Sequence, residues 1–309
     1  MNSNIHLVTV LIPVYNGEKY IGEAIESILS QTHQNFELLI INDYSNDNSV
    51  QIIQSFSSEK IKLIQNDRNL GQSATLNKGL KLSTGVYIAR LDQDDLASHR
   101  RLEKQVDYLS KYECSVLGTW AHKINSNSEV IGCIQHPTTQ KSICNALGTE
   151  PSVSHSSVMM KKEDILSIGG YSEKFKIAMD WHLWVRVIKN GYKINNISDC
   201  LTSVRFHDLQ TTQSEKAQKA LIHERLIILN DSKSLINSKA NYNANLGWIY
   251  YYEFLLSIQD IVNGYGYKKF ILKIFRIKGL IEFLKLIVYH KVFKKSNYFY
   301  DSTIVRPEK

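Results

Sequence analysis

Three aspartates stand within four positions at the end of an apolar run. The run "YIARL" is suited to a buried strand, and Asp92, Asp94 and Asp95 follow it in "DQDD". In a partly enclosed site these carboxylates cannot all stay ionised without a compensating cation. Hard divalent cations take carboxylate oxygens, and magnesium or manganese commonly bridges protein carboxylates and the phosphates of a ligand. The cluster therefore predicts a metal and diphosphate site, with an Asp-rich turn that caps the next helix as the alternative.

Two more carboxylates stand where they could do chemistry. Asp43 follows the apolar run "FELLIIN", where its oxygens could accept hydrogen bonds from a nucleobase or a ribose, or simply form a turn. Asp180 lies between Met179 and Trp181 at the start of an apolar helix. An isolated carboxylate is costly there unless it caps the helix or does chemistry. A helix cap is the simpler explanation, and a general base that removes a hydroxyl proton would also fit.

The elements that must position these residues alternate between strands and helices. Apolar runs at 7–14, 36–43, 61–66 and 86–91 predict strands, and helical patterns lie at 18–31, 48–56, 73–83 and 99–112. Such alternation predicts an α/β fold with a mainly parallel sheet covered on both faces. Ligands of these sheets bind beyond the carboxyl ends of the strands, which is where the polar residues stand.

The second half of the chain is less regular. The sequence predicts strands at 114–120, 156–162 and 200–206, a helix from Ala178 to Tyr192, and a long polar loop over the site between about 121 and 154. Beyond Gln213 the pattern is helical. We expect a main domain at 1–213 and a helical basic region at 214–309.

Composition excludes several classes of protein. The chain has 309 residues and 43% hydrophobic content, ample for a folded core, and its four scattered cysteines suggest neither a zinc site nor a disulfide framework. The N-terminus has no basic leader, and its apolar run is too short to span a bilayer, so the cytoplasm is the expected location.

The net charge of +7 is concentrated at the C-terminus, where residues 266–309 hold 11 Lys and Arg against 3 acidic residues. The segment 270–295 has an apolar stripe among basic residues, which predicts either peripheral contact with an anionic membrane or a helix with a solvated basic face. No recognised nucleic-acid module accompanies the charge, so nucleic acid is not an expected partner.

An ordered set of motifs carries a family resemblance. The set comprises "VLIPVYNGEKYIGEAIESILSQ", "LLIINDYSNDNS", "NLGQSATLNKGL", "YIARLDQDD", "AMDWHLWVRVIKNGY" and "VRFH". In this order and spacing it closely resembles the family 2 inverting glycosyltransferases with the GT-A fold, over roughly residues 7–210. The resemblance implies transfer of a sugar from a nucleotide sugar, with uridine diphosphate the expected nucleotide, to a saccharide or lipid-linked saccharide. It also implies that the domain at 1–213 is catalytic, with a nucleotide-sugar half to about 97 and an acceptor half from about 98 to 213.

The resemblance also implies roles for individual residues. Pro13, Tyr15 and Asp43 match nucleotide contacts, with Asp43 facing the base, and Asp92 matches a ribose or metal contact. Asp94 matches the direct ligand of a divalent metal, Mn²⁺ or Mg²⁺, and Asp95 supports the ligands from behind. Asp180 matches the base that deprotonates the acceptor hydroxyl. His207 closes the family's Y-R-x-H pattern and matches a metal or diphosphate contact.

The chain departs from the family at several of these motifs. Asn42 and Tyr44 replace the first Asp and the Gly of the usual Asp-Asp-Gly-Ser turn, and Met179 replaces the Glu before Asp180. Val204 replaces the Tyr before Arg205. Two alternatives to the transferase follow: a degenerate nucleotide-sugar binder, which the losses at Asn42 and Met179 would favour, and a phosphatase of the haloacid dehalogenase type, which "DQDDL" superficially matches.

Three other polar residues are weaker candidates. His155 lies near the expected acceptor side, but a lone His is more often structural. Arg100 and Arg101 follow the acidic cluster and could reach phosphate, although a solvated helix start is the simpler interpretation.

Overall fold

The first four strands form a parallel sheet with β1 and β2 at its centre. The computed structural model describes residues 6–207, 215–236 and 239–262. Its strands are β1 (Val8–Val14), β2 (Phe36–Asn42), β3 (Ile61–Gln65), β4 (Tyr87–Arg90), β5 (Leu96–Ala97), β6 (Val116–Ile124), β7 (Val130–Ile134), β8 (Met159–Lys161) and β9 (Ile194–Arg205). Its helices are α1 (Ile21–Leu29), α2 (Ser49–Gln54), α3 (Gln72–Leu82), α4 (Arg101–Lys111), α5 (Gln140–Leu147), α6 (Lys162–Ser167), α7 (Met179–Lys189), α8 (Glu215–Ser232) and α9 (Lys239–Val262).

The strand order is β3-β2-β1-β4-β8-β6-β9-β5, with β7 paired to β6. Strands β1 to β4 are mutually parallel, as the alternation of strands and helices predicts, and β8 joins them antiparallel to β4. Every residue of β1 and β2 is buried, which explains why these strands are mostly apolar and do not alternate between apolar and polar residues. The predicted α/β fold with helices around a mainly parallel sheet is confirmed.

The predicted long loop between 121 and 154 is wrong. Strand β6 continues to Ile124, turns at residues 125–129 and returns as β7, and α5 follows at Gln140. The hairpin escaped prediction because Val130 and Ile131 are both exposed, so β7 has no alternating apolar face.

Strand β9 also begins earlier than predicted, at Ile194 instead of Cys200. Its first residues, "INNISD", are mostly polar, which is typical of a loop. The buried Asn196 Nδ2 donates to the carbonyl oxygens of Pro137 and Ser152, at 2.7 and 3.0 Å, and these bonds stabilise a polar residue in this strand.

The chain divides into two compact units. One comprises 1–143 with 152–207, and the other comprises 144–151 with the residues after 207. In the second unit, α8 and α9 agree with the predicted helical pattern, whereas the basic segment 270–295 lies outside the described residues. Among the helices that the structure describes, none is both long and apolar enough to cross a membrane.

Candidate active site

The polar turns after β1, β2 and β4 meet at one edge of the sheet. These strands are parallel neighbours, so their carboxyl ends lie side by side. The Tyr15 backbone N–H donates to Gln93 Oε1 at 2.8 Å, and the Asn16 N–H donates to Ser45 Oγ at 2.9 Å. The first turn is therefore tied both to the turn that carries the acidic cluster and to the turn after β2.

Pro13 and Tyr15 occupy the end of the central strand. Pro13 is buried and pairs with Ile41 of β2. A proline has no backbone N–H to donate, and its place in the strand leaves the end that a ligand would face unaffected. Tyr15 is 48% exposed directly beyond the strand end. An exposed aromatic ring at this point offers a stacking surface to a nucleobase.

Asp43 is a buried anchor in this structure. It is only 4% exposed, and its carboxylate accepts hydrogen bonds from the Asn66 amide at 2.7 Å and from the backbone N–H groups of Leu70 and Gly71, both at 2.8 Å. Both oxygens thus hold the segment that leads into α3. The sequence suggested a carboxylate facing a ligand, and the structure adds that this carboxylate holds the loop before α3.

Tyr44 has a backbone conformation that favours glycine. Its φ is +67°, and its side chain is 57% exposed. The family's Gly at this position is explained by that geometry, because a left-handed conformation costs an L-residue roughly 1–2 kcal/mol. The chain retains the turn and accepts the strain.

Replacement of Tyr44 by Gly is therefore expected to stabilise the protein relative to replacement by Ala. Both variants lose the ring, but only Ala retains the strained φ, so Tyr44→Gly should be more stable than Tyr44→Ala by about 1 kcal/mol. Urea denaturation followed by circular dichroism measures the difference. An alanine variant as stable as the glycine variant would show that the turn relaxes.

The acidic cluster forms a compact group. One oxygen from each of Asp92, Asp94 and Asp95 can be chosen so that all three lie within 4.8 Å of one another. Both oxygens of Asp92 are engaged by the guanidinium of Arg90, which is 1% exposed. Asp94 Oδ2 lies 2.9 Å from His207 Nε2. The structure thus brings His207, from the end of β9, to the predicted metal ligand.

Arg90 changes the charge argument made from the sequence. It compensates Asp92 from within the protein, so a cation is not needed for that carboxylate. Burial and the neighbouring Asp92 raise the pKa of Asp94, although the contact with His207 opposes this rise. Burial and the charges of Asp94 and Asp92 raise the pKa of Asp95 well above its usual range. A positive charge near Asp94 and Asp95 would therefore favour the ionised form of both carboxyl groups.

A divalent cation fits this set of donors. Asp94 and His207 converge from different strands and are both only partly buried, so a cation and its remaining oxygen ligands could reach them. Carboxylate and imidazole are suitable ligands for Mn²⁺, and carboxylate for Mg²⁺. Asp95 is buried behind them and accepts the Arg205 backbone N–H at 2.8 Å, which agrees with a supporting position.

Asp180 lies in the first turn of α7 and is partly buried. Its Oδ1 accepts the Trp181 N–H at 2.8 Å. Burial raises the pKa of Asp180 to about 6, and the Trp181 N–H and the charge of Arg90 limit the rise. A carboxylate with this pKa is ionised at neutral pH and is a stronger base than an ordinary Asp, which suits removal of a hydroxyl proton.

His155 has a partner that the sequence did not reveal. Its Nε2 lies 2.7 Å from the hydroxyl of Tyr171, and its ring meets Trp184 at 6.0 Å edge to face. Burial and the nearby Arg90 hold the pKa of His155 well below its usual range, so the ring is neutral. Burial raises the pKa of the Tyr171 hydroxyl, and the charge of Asp180 adds to the rise while that of Arg90 opposes it. His155 and Tyr171 thus form a buried pair, and Trp184 belongs to the core.

The buried arginines were the main omission of the sequence analysis. Arg90 ends a four-residue strand that is otherwise apolar, and a buried cation at such a position requires a buried partner. That signal was present in "YIARLD". The interpretation of Arg100 as part of a solvated helix start agrees with its exposure and its contact with Glu103, whereas Arg101 is fully buried and donates to the Arg90 carbonyl oxygen at 2.7 Å.

Comparison with known proteins identifies the family of the chain. The sequence model described as "Glycosyl transferase family 2" matches residues 9–167, just over half of the chain. Two relatives from Escherichia coli are similar over most of their length. The O-antigen biosynthesis glycosyltransferase WbnJ is 31% identical, over 68% of this chain and 84% of its own. The UDP-Glc:alpha-D-GlcNAc-diphosphoundecaprenol beta-1,3-glucosyltransferase WfgD is 33% identical, over 62% of this chain and 72% of its own.

A solved structure gives the fold. The crystal structure of S. aureus TarS 1-349 in complex with UDP-GlcNAc superposes with a TM-score of 0.61 at 18% identity, covering 95% of this chain and 93% of that one. The chain spans 43% of the larger TarS structure. At this identity the likeness establishes a shared GT-A fold, and the family match over the first half establishes descent. The chain belongs to glycosyl transferase family 2.

Proposed function

We propose that the chain is a metal-dependent, inverting glycosyltransferase that transfers a sugar from a UDP-sugar to a saccharide or lipid-linked saccharide in the synthesis of a surface polysaccharide. One observation carries the proposal: Arg90 binds Asp92, which is assigned to the donor, and its charge also acts on Asp180, which is assigned to the base. Burial raises the pKa of Asp180, and Arg90 limits that rise. One buried cation therefore influences both assigned carboxylates, which supports their assignment to a single site.

The donor would occupy the edge formed by the three turns. Tyr15 would stack on the base, Pro13 would line its pocket, and Asp43 would shape the pocket through the loop that it anchors. Asp92, oriented by Arg90, would face the ribose. TarS was crystallised with UDP-GlcNAc and the name of WfgD gives UDP-Glc as its donor, and both favour a uridine nucleotide.

A divalent cation would be held by Asp94 and His207, with Asp95 behind them. When bound, Mn²⁺ or Mg²⁺ stabilises the negative charge of a departing diphosphate. The Asp94 carboxylate and the His207 ring keep each other oriented through their 2.9 Å contact. The raised pKa values of Asp94 and Asp95 favour the same assignment, because a bound cation would return both carboxyl groups to the ionised form.

The chemical step is a single displacement at the anomeric carbon. The acceptor oxygen forms a bond to that carbon as the bond to the diphosphate oxygen breaks, and the electron pair leaves with the nucleoside diphosphate. Asp180 takes the acceptor proton as attack begins. Attack from the face opposite the leaving group inverts the anomeric configuration.

The acceptor is proposed to be a sugar on a lipid diphosphate or a related saccharide. The name of WfgD gives GlcNAc on diphosphoundecaprenol as its acceptor, and that of WbnJ places it in O-antigen biosynthesis. An acceptor held in a membrane would be reached more readily if the basic C-terminal region contacts anionic lipid. The phosphatase alternative does not fit the family match, and retention of Asp180 and the acidic cluster disfavours a binder without transfer.

Calorimetric titration tests the donor assignment. Uridine diphosphate, guanosine diphosphate and several nucleotide sugars would each be titrated with manganese and with a chelator present. We expect binding of the uridine compounds that requires manganese, followed by transfer to a lipid diphosphate sugar with inversion, observed by proton NMR of the product. Absence of binding under every metal condition would exclude the proposed donor site.

A further inference from the structure

Arg205 is a fully buried cation beside the acidic cluster. It ends strand β9, has 0% exposure, and stands two residues before His207. Residues two apart in an extended segment face the same side. Accordingly both residues contact the turn after β4. His207 contacts the Asp94 carboxylate, and the Arg205 side chain contacts the Asp94 backbone carbonyl oxygen.

The guanidinium of Arg205 joins three parts of the first unit. Its Nε donates to the Asp94 carbonyl oxygen at 2.8 Å, one terminal nitrogen donates to Glu23 Oε2 of α1 at 2.9 Å, and the other donates to Ser128 Oγ in the β6–β7 turn at 2.9 Å. The same terminal nitrogen lies 3.3 Å from the Asn125 carbonyl oxygen. The planar group also lies over the Tyr20 ring at 4.3 Å.

The hairpin turn that it contacts is itself well defined. Ser128 has a φ of +64°, and the Asn125 Oδ1 accepts the backbone N–H groups of Asn127 and Glu129 at 2.9 and 3.0 Å. Ser128 Oγ donates, at 2.8 Å, to the same Glu23 oxygen that accepts the hydrogen bond from Arg205. A structured turn on one side and a helix on the other give the guanidinium a fixed frame.

We infer that Arg205 is a positioning residue of the donor site, which fixes the backbone of Asp94 against helix α1 and the β6–β7 turn so that Asp94 and His207 meet a divalent cation at a set angle. The inference rests on the proposed function. The inference goes beyond that function, because it assigns the placement of the metal ligands to a residue that touches neither donor nor acceptor. Supporting groups of this kind typically change metal affinity by about 10- to 100-fold when they are removed.

A lysine cannot replace this contact pattern. The guanidinium makes its bonds along several directions in one plane and rests its face on Tyr20, whereas an ammonium is a compact charge at the end of a flexible chain. Arg205→Lys therefore preserves the buried charge while it loses the geometry. This separates positioning from charge compensation.

The test compares manganese and uridine diphosphate affinities of wild type, Arg205→Lys and Arg205→Met by calorimetry, with manganese also followed alone by electron paramagnetic resonance. Arg100→Met is the matched control, because it removes an exposed arginine that pairs only locally with Glu103. We expect Arg205→Lys to bind manganese about 10- to 100-fold more weakly, and Arg100→Met to bind it like wild type.

Wild-type manganese affinity in folded Arg205→Lys would overturn the inference and leave the proposed function intact. If wild type itself binds no manganese, both fall together. Should the Arg205 variants fail to fold, the double variant Glu23→Ala Ser128→Ala carries the test, since it removes two hydrogen-bond partners of the guanidinium and retains Arg205. Unchanged manganese affinity in that variant would likewise overturn the inference.

Discussion

Asp180→Asn is expected to lower kcat by about 10²- to 10⁴-fold, the usual contribution of a general base. The amide matches the carboxylate in shape but cannot accept the acceptor proton. Asn can still receive the Trp181 N–H that Asp180 receives now, so the first turn of α7 should persist. The affinity for uridine diphosphate should stay within about twofold, because the donor residues lie on other turns.

The pH dependence of wild type provides an independent check on this assignment. Burial raises the pKa of Asp180 to about 6, so kcat should fall as the pH drops below 6 and the base becomes protonated. The same shift affects stability. A carboxyl group whose pKa is raised in the folded state contributes stability at low pH that is lost as the pH rises through about 6. Asp180→Asn, which mimics the neutral form, should therefore not be less stable than wild type at pH 8.

Initial rates of nucleoside diphosphate release, measured from pH 5 to 9, decide the matter together with thermal melting. Asp164→Asn is a suitable control, since it changes an acid in the first turn of another helix, α6. A variant at Asp180 with a wild-type rate would remove the residue from the chemistry. A lower rate accompanied by a lower melting temperature at pH 8 would instead indicate that Asp180 acts as a structural cap.

The acidic residues could be predicted from the sequence because they follow apolar strands whose carboxyl ends must meet in a parallel sheet. Asp92, Asp94 and Asp43 all lie at that edge. Their partners are distant in the chain and have no local pattern. Arg205 is 111 positions from the Asp94 carbonyl oxygen that it binds, so only the folded sheet reveals the contact.

Polar strands limited prediction in the second half of the chain. Strand β9 can start with a polar stretch because Asn196 donates to a buried carbonyl oxygen. Strand β7 lacks an apolar face because Val130 and Ile131, which point to opposite sides at its start, are both exposed. Hydrophobic periodicity indicates a strand where one face of it is apolar and buried, and neither of these strands has such a regular face. These two strands bring the hairpin turn and Arg205 to the turn that carries Asp94, and the loop prediction at 121–154 concealed β7 and the hairpin turn.

The strained turn at Tyr44 illustrates a different limit. The motif was readable as a departure from the family, but its meaning depended on the backbone angle. At a φ of +67° the Tyr is tolerated at a cost, so the replacement preserves the turn and adds an exposed ring. A sequence alone does not separate such a retained turn from a rebuilt one.

Asp94→Ala should abolish the manganese dependence of nucleotide binding. Since supporting groups already contribute about 10- to 100-fold to metal affinity, loss of the direct carboxylate ligand should cost about 100-fold or more. His207 would lose the oxygen that lies 2.9 Å from its Nε2 and would no longer be oriented toward the cation. Calorimetric titration of manganese and uridine diphosphate into wild type, Asp94→Ala and the exposed helix control Asp107→Asn measures the loss.

Melting curves separate this ligand role from a structural one. Burial and the nearby Asp92 raise the pKa of Asp94, and Asp94 in turn raises that of Asp95, so without metal the carboxylates oppose folding at neutral pH. Removal of Asp94 should leave the metal-free melting temperature at pH 8 unchanged or higher. Manganese with uridine diphosphate should stabilise wild type and Asp107→Asn but not Asp94→Ala, because only a protein that binds the ligand gains stability from it. An equal shift in all three proteins would place the cation elsewhere. A large metal-free loss in Asp94→Ala would mean that Asp94 holds the turn through its contact with His207.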